Sequence, residues 1–190
     1  VGFKDHPVFA ERSSVTSGAD AVIIRLGDRA VLNRPAPVAA GLPVSDRTAR
    51  QLARLDSGRW STTDEAAGSD HVVIGLAGVF ALRTRRLCGR VVANDAELVH
   101  NGVGSGLGDE ATLAARRVSG QLSRASGLLV TVRPVLVLEC EQLVGSGRTL
   151  DVAVVASHRV RRWLERQPDT LDGAQAFRLR VAAGRTSTWR

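Results

Sequence analysis

Asp70 is the side chain in this sequence best placed to do chemistry. It opens the run Asp70-His71-Val72-Val73-Ile74-Gly75-Leu76-Ala77-Gly78-Val79-Phe80-Ala81-Leu82-Arg83-Thr84-Arg85. Two apolar stretches meet there at Leu76-Ala77-Gly78, a hairpin signature. Such a hairpin sets Asp70, at the start of one arm, beside the end of the other. A carboxylate in that place can hold a divalent cation if a second acid on the next strand shares the load. A lysine close by would orient water or steady a charged transition state. The second arm instead carries Arg83 and Arg85. A guanidinium stays charged at any relevant pH and does not ligate Mg²⁺, so Arg83 repels the cation that Asp70 would hold.

Other chemistries find less support. Of 26 Lys and Arg residues one, Lys4, is lysine, so 25 are arginine, and a mechanism needing a core lysine has no candidate. Cys88 and Cys140 form no Cys-x-x-Cys pair, and His6, His71, His100 and His158 lack ligand spacing, so no zinc site is expected. The two thiols are expected to be reduced, and Cys88 with a histidine is only a loose nucleophile pair. Gly102, Gly104, Gly106 and Gly108 alternate before a helix, but no Gly-Lys-Ser/Thr or dinucleotide spacing follows, so they read as a hairpin-to-helix loop. Gly145-Ser146-Gly147 reads as a turn rather than a nucleophile elbow.

The elements that must position Asp70 follow from periodicity. Residues 1–40 form an N-terminal extension with a strand at Ala19–Leu26 and a Pro-rich linker within Asn33–Pro43, and residues 41–190 form the main domain. Ser45 or Asp46 caps a helix to about Asp56, and a short strand at Arg59–Thr63 precedes the hairpin. Gly89–Ala93 and Glu97–His100 extend the meander, with turns at Asn94-Asp95 and Asn101-Gly102. Asp109 caps a helix to Ser126 that Gly127 stops. Val132–Glu139 is a buried strand, with Pro134 at an edge or entry position. Val152–Ala156 is another strand, Ser157 caps a helix, and a last helix runs from Leu171 to Ala183. The order implies an α/β (α+β) sheet with helices packed on it.

The hairpin run resembles the signature of the nuclease-related domain (NERD) family. Thr48-Ala49-Arg50 with Leu52 and Leu55, Val132-Arg133-Pro134-Val135-Leu136, Val160-Arg161-Arg162-Trp163-Leu164 and the closing Thr186-Ser187-Thr188-Trp189 extend the likeness over about residues 45 to 190. The resemblance implies a restriction-endonuclease-like fold, a central mixed sheet flanked by helices, and a role in DNA processing. It places Asp70 at the family's first acid, Arg83 at its second acid or Asn, and Arg85 at its lysine. The family's first-helix glutamate has only Ser45 or Asp46 nearby.

These departures point to a degenerate catalytic site whose strand end contacts phosphates. Net charge is +7, and Arg83, Arg85, Arg86 and Arg90 put four cations and no acid into residues 83–90, with Arg116 and Arg117 on the neighbouring helix. The expected partner is DNA or RNA without sequence preference, and the main reading needs no cofactor. With four Phe, three Trp and no Tyr, base stacking is not the expected main mode. An active Mg²⁺-dependent nuclease would need a migrated acid, with Asp64, Glu65, Glu97 and Glu139 as candidates. A protein-interaction domain anchored by Trp163 and Trp189 is the third reading. The longest apolar run, Val72–Leu82, has 11 residues, short of a membrane span, and no signal-type core stands near Lys4, Asp5 and His6. A cytoplasmic location without membrane attachment is expected.

Overall fold

The computed structural model describes residues 46–95, 97–145, 148–149 and 151–190. The expected strand at Ala19–Leu26, the linker, Ser45, and Ser146 and Gly147 of the expected turn lie outside them. The described chain is a mixed α/β structure with two mixed sheets flanked by helices.

Helix α1 (Asp46–Leu52) leads to a three-stranded antiparallel meander of β1 (Trp60–Ala66), β2 (Ser69–Gly75) and β3 (Gly78–Arg86). In the β2–β3 hairpin Gly75 pairs with Gly78, leaving Leu76 and Ala77 as the two-residue connection. Gly78 takes φ +122°, a value that L side chains rarely adopt. β4 (Arg90–Ala93), β5 (Leu98–His100) and β6 (Val103–Ser105) follow, and then α2 (Leu107–Ser126), which Gly127 ends in the left-handed conformation. β7 (Val132–Glu139) returns parallel to β3. β8 (Gln142–Gly145), β9 (Arg148–Thr149) and β10 (Val152–Ala156) come next, followed by a 3₁₀ turn (Ser157–Arg159), α3 (Val160–Glu165), α4 (Gly173–Ala183) and a closing 3₁₀ turn (Thr186–Trp189).

The larger sheet has the order β1-β2-β3-β7-β10-β9 and the smaller β6-β5-β4-β8. The β3/β7 parallel pair runs on into the β4/β8 parallel pair. Arg86 pairs with Glu139 and Arg90 with Gln142, so Leu87, Cys88 and Gly89 stand opposite only Cys140 and Glu141. This bulge, with Gly89 at φ +92°, bends the strand out of the first sheet. That is why Gly89–Ala93 and Glu97–His100 do not extend the meander but build a second sheet.

One face of the larger sheet packs on α2 and α4, burying Val72, Ile74, Val79 and Ala81 against Val118, Leu122 and Leu179. The other face buries Val73, Phe80, Leu82, Val135 and Val137 against Leu52 of α1 and Val160 and Leu164 of α3. Phe80 is the hub, with Trp60 at 6.2 Å and Trp163 edge-on at 5.7 Å between ring centroids. A third core joins Val91, Ala93 and Leu98 of the small sheet to Leu107, Ala111, Leu136 and Leu138.

Several local readings shift by a few residues. α1 ends at Leu52, and Leu55 closes a turn onto the Leu52 carbonyl. α2 starts at Leu107 with Gly106 as its N-cap, so Asp109 sits inside the first turn, where a negative charge still favours the helix dipole. The alternating glycines are not one loop: Asn101 and Gly102, both at positive φ, turn β5 into β6, and Gly104 lies within β6. Pro134, the third residue of β7, pairs with Ala81 of β3 and sits at an edge on the other side, because β10 begins pairing only at Val135. α4 starts at Gly173, later than Leu171, because Asp172 and Gln175 form a reciprocal capping box there.

Candidate functional site

Side chains alternate along a strand, so Asp70 shares the α2 face of β2 with Val72 and Ile74, while Arg83 and Arg85 share that face of β3 with Val79 and Ala81. The hairpin register brings these three together. The Thr84 N–H donates to Asp70 Oδ2 at 2.5 Å, which fixes the carboxylate to the backbone of the next strand. Arg85 Nη1 lies 3.7 Å from the same oxygen and also donates to the Thr84 carbonyl at 2.9 Å.

The fourth member was not legible in the sequence. Glu110, in the first turn of α2, places its Oε2 3.0 Å from Arg85 Nη2 and 3.3 Å from Arg83 Nη2. Arg83 Nη1 donates to the Gly68 carbonyl in the β1–β2 turn. The result is an alternating chain, Asp70–Arg85–Glu110–Arg83, whose formal charges cancel. Asp70 is 16 % exposed, Arg83 21 % and Arg85 27 %, whereas Glu110 is 53 % exposed, so Glu110 is the member of the chain most open to solvent. The Asp109-Glu110 pair signals a helix start and nothing more. Only the packing of α2 across the sheet aims Glu110 at the arginines.

The four acids considered as migrated ligands are held elsewhere. Asp64 accepts from the ring of His71, with Oδ1 2.7 Å from Nδ1. Glu65 is exposed at φ +50°, and Glu97 belongs to the turn entering β5. Glu139 lies on the opposite sheet face, 3.9 Å from Arg86 Nε. Among the described residues no group of three or more His, Cys, Asp or Glu side chains could hold a metal ion.

The run of cations at 83–90 divides. Arg83 and Arg85 face α2, Arg86 faces the α1 side with Glu139, and Arg90 opens the small sheet, exposed to solvent. Arg116 and Arg117 are exposed on α2. A Cβ added at Gly68 would lie 3.3 Å from Arg117 Nη1, so Arg117 reaches the same turn that Arg83 holds. Arg83, Arg85 and Arg117 therefore gather at one end of the α2 face.

The thiols are separated from this cluster. Cys88 is exposed in the bulge, and His100 Nε2 lies 2.8 Å from the Cys88 carbonyl oxygen, not its sulfur. Cys140 packs against the third core, and burial pushes its thiol up from the ordinary value. Trp163 packs on Phe80, and Trp189 Nε1 donates to the Ala183 carbonyl at 2.8 Å, so both face inward. Among the described residues no helix is long and apolar enough to cross a membrane.

No protein family matches this chain, and no curated protein or solved structure does either.

Proposed function

We propose that this chain is a NERD-like, restriction-endonuclease-type domain that has exchanged metal catalysis for binding DNA or RNA through arginines. The observation that carries the reading is the position of Arg85. Its guanidinium bridges Asp70 and Glu110, so two acids that could serve a cation are already neutralised by one belonging to the protein. The antiparallel meander β1-β2-β3, crossed by α2 to a parallel β7, supports the implied fold. The net charge of +7 and the exposed Arg90, Arg116 and Arg117 support a polyanionic partner. Phosphate contacts need charge and reach, not base edges, so the binding is not sequence-specific.

A filter-binding series in rising salt tests this. Measurable affinity near 50 mM salt that falls steeply as salt rises is expected. Absent binding at low salt, or binding indifferent to salt, would remove the reading.

Glu110 favours one second reading, an active Mg²⁺-dependent nuclease with Glu110 in place of the missing strand acid. Cleavage of DNA or RNA with Mg²⁺ or Mn²⁺, abolished by both Asp70→Asn and Glu110→Gln, would establish it. No cleavage with either ion leaves the binding reading alone.

A further inference from the structure

Most large apolar side chains of the described residues are buried, but Phe177 is 67 % exposed and Val181, one turn along α4, is 42 % exposed. They line a shallow hollow of about 170 Å³ together with Ala125 and Ser126 of α2 and with Arg178 and Arg185. Its charged lining is entirely cationic. Arg178 is held in place by donating from Nη2 to the Ser126 carbonyl at 2.8 Å, at the C-terminal end of α2.

We propose that this face binds single-stranded nucleic acid, with an unpaired base stacked on the Phe177 ring and phosphates on Arg178 and Arg185. The proposal rests on the nucleic-acid reading above and adds a strand preference to it, through one stacking contact at Phe177 that supplements phosphate binding as the main mode. An aromatic ring flanked by arginines is the arrangement that stacks a base while neutralising its backbone. A duplex keeps its base faces inside the helix and cannot offer one to Phe177. An uncharged partner would leave Arg178 and Arg185 without a counter-charge, which backbone phosphates supply.

Fluorescence anisotropy on the whole chain, with labelled oligothymidylate and with the matched duplex, tests the proposal. Phe177→Ala and Phe177→Leu are both expected to weaken oligothymidylate binding, roughly five- to a hundredfold, and to leave duplex affinity unchanged. Phe177→Trp, which keeps a stacking face, is expected to retain binding. If the wild-type chain binds oligothymidylate and Phe177→Ala binds it equally well, the stacking site is overturned while nucleic-acid binding stands. Retained binding by Phe177→Leu alone would also overturn stacking, since an apolar contact would then suffice. If the wild type binds neither probe, the underlying reading fails and this proposal with it. Reversible self-association that Phe177→Ala abolishes would reassign the face to a second copy of the chain.

Discussion

Glu110 decides how the arginines at the end of β3 behave. It sits within ion-pair distance of both Arg83 and Arg85, and Asp70 faces Arg85 from the other side, so the two guanidinium groups reach solvent already compensated. Removing the Glu110 charge frees Arg83 for an external anion and leaves Arg85 facing only Asp70. Glu110→Gln is expected to raise nucleic-acid affinity several-fold and to steepen the logarithmic salt slope by about one to two. An unchanged slope in the variant would mean that Arg83 and Arg85 do not meet the ligand. The exposed Glu110 pairs contribute little to stability, about 0–1 kcal/mol, so the variant is expected to fold. Cys140 offers a pH readout of a different kind. Burial raises its thiol pKa, so less thiolate is present at a given pH, and alkylation must be delayed to more alkaline conditions. Mass mapping of iodoacetamide labelling near neutral pH is expected to find exposed Cys88 modified first, with Cys140 following only as pH rises. Equal labelling of both at neutral pH would contradict the burial of Cys140.

At the level of elements, the β2–β3 hairpin is the part that positions the site. Its register sets Asp70 against Thr84 and Arg85, and its far end is fixed by close packing at Gly75. A Cβ on Gly75 would lie 2.6 Å from Trp60 Cε3, in a core where Trp60 is 6 % exposed and packs on Phe80. Gly75→Ala is therefore expected to cost about 1–3 kcal/mol through overpacking. Urea unfolding should show a lower midpoint with an unchanged slope. A midpoint equal to the wild type would mean that Trp60 can move aside freely. Much of this element layer was legible in the sequence. The Leu76-Ala77-Gly78 turn, the Gly127 stop of α2 and the buried run at Val132–Glu139 all follow from local chemistry. The second sheet was not, because Gly89–Ala93 alternates like any meander strand. Its departure depends on one extra residue between Arg86 and Arg90 relative to β7–β8, and that count exists only once the strands are paired.

For the whole molecule, the charge of +7 speaks to association more than to folding. The salt series proposed above counts the contacts: four phosphates engaged would cost about a hundredfold in affinity between 50 and 200 mM salt. A much shallower dependence would point to fewer arginines at the surface that binds. The sequence by itself determined the arginine excess, the hairpin and most of the order of elements, because each is a matter of residue type and local spacing. Only the tertiary structure decided which charges meet. Strand alternation sends Arg83 and Arg85 to one face and Arg86 to the other, and the crossing of α2 carries Glu110 to the first pair. It also left Phe177 outside the core, beside Arg178 and Arg185. Charge neutralisation and exposure are properties of neighbours in space, and spacing along the chain does not fix them.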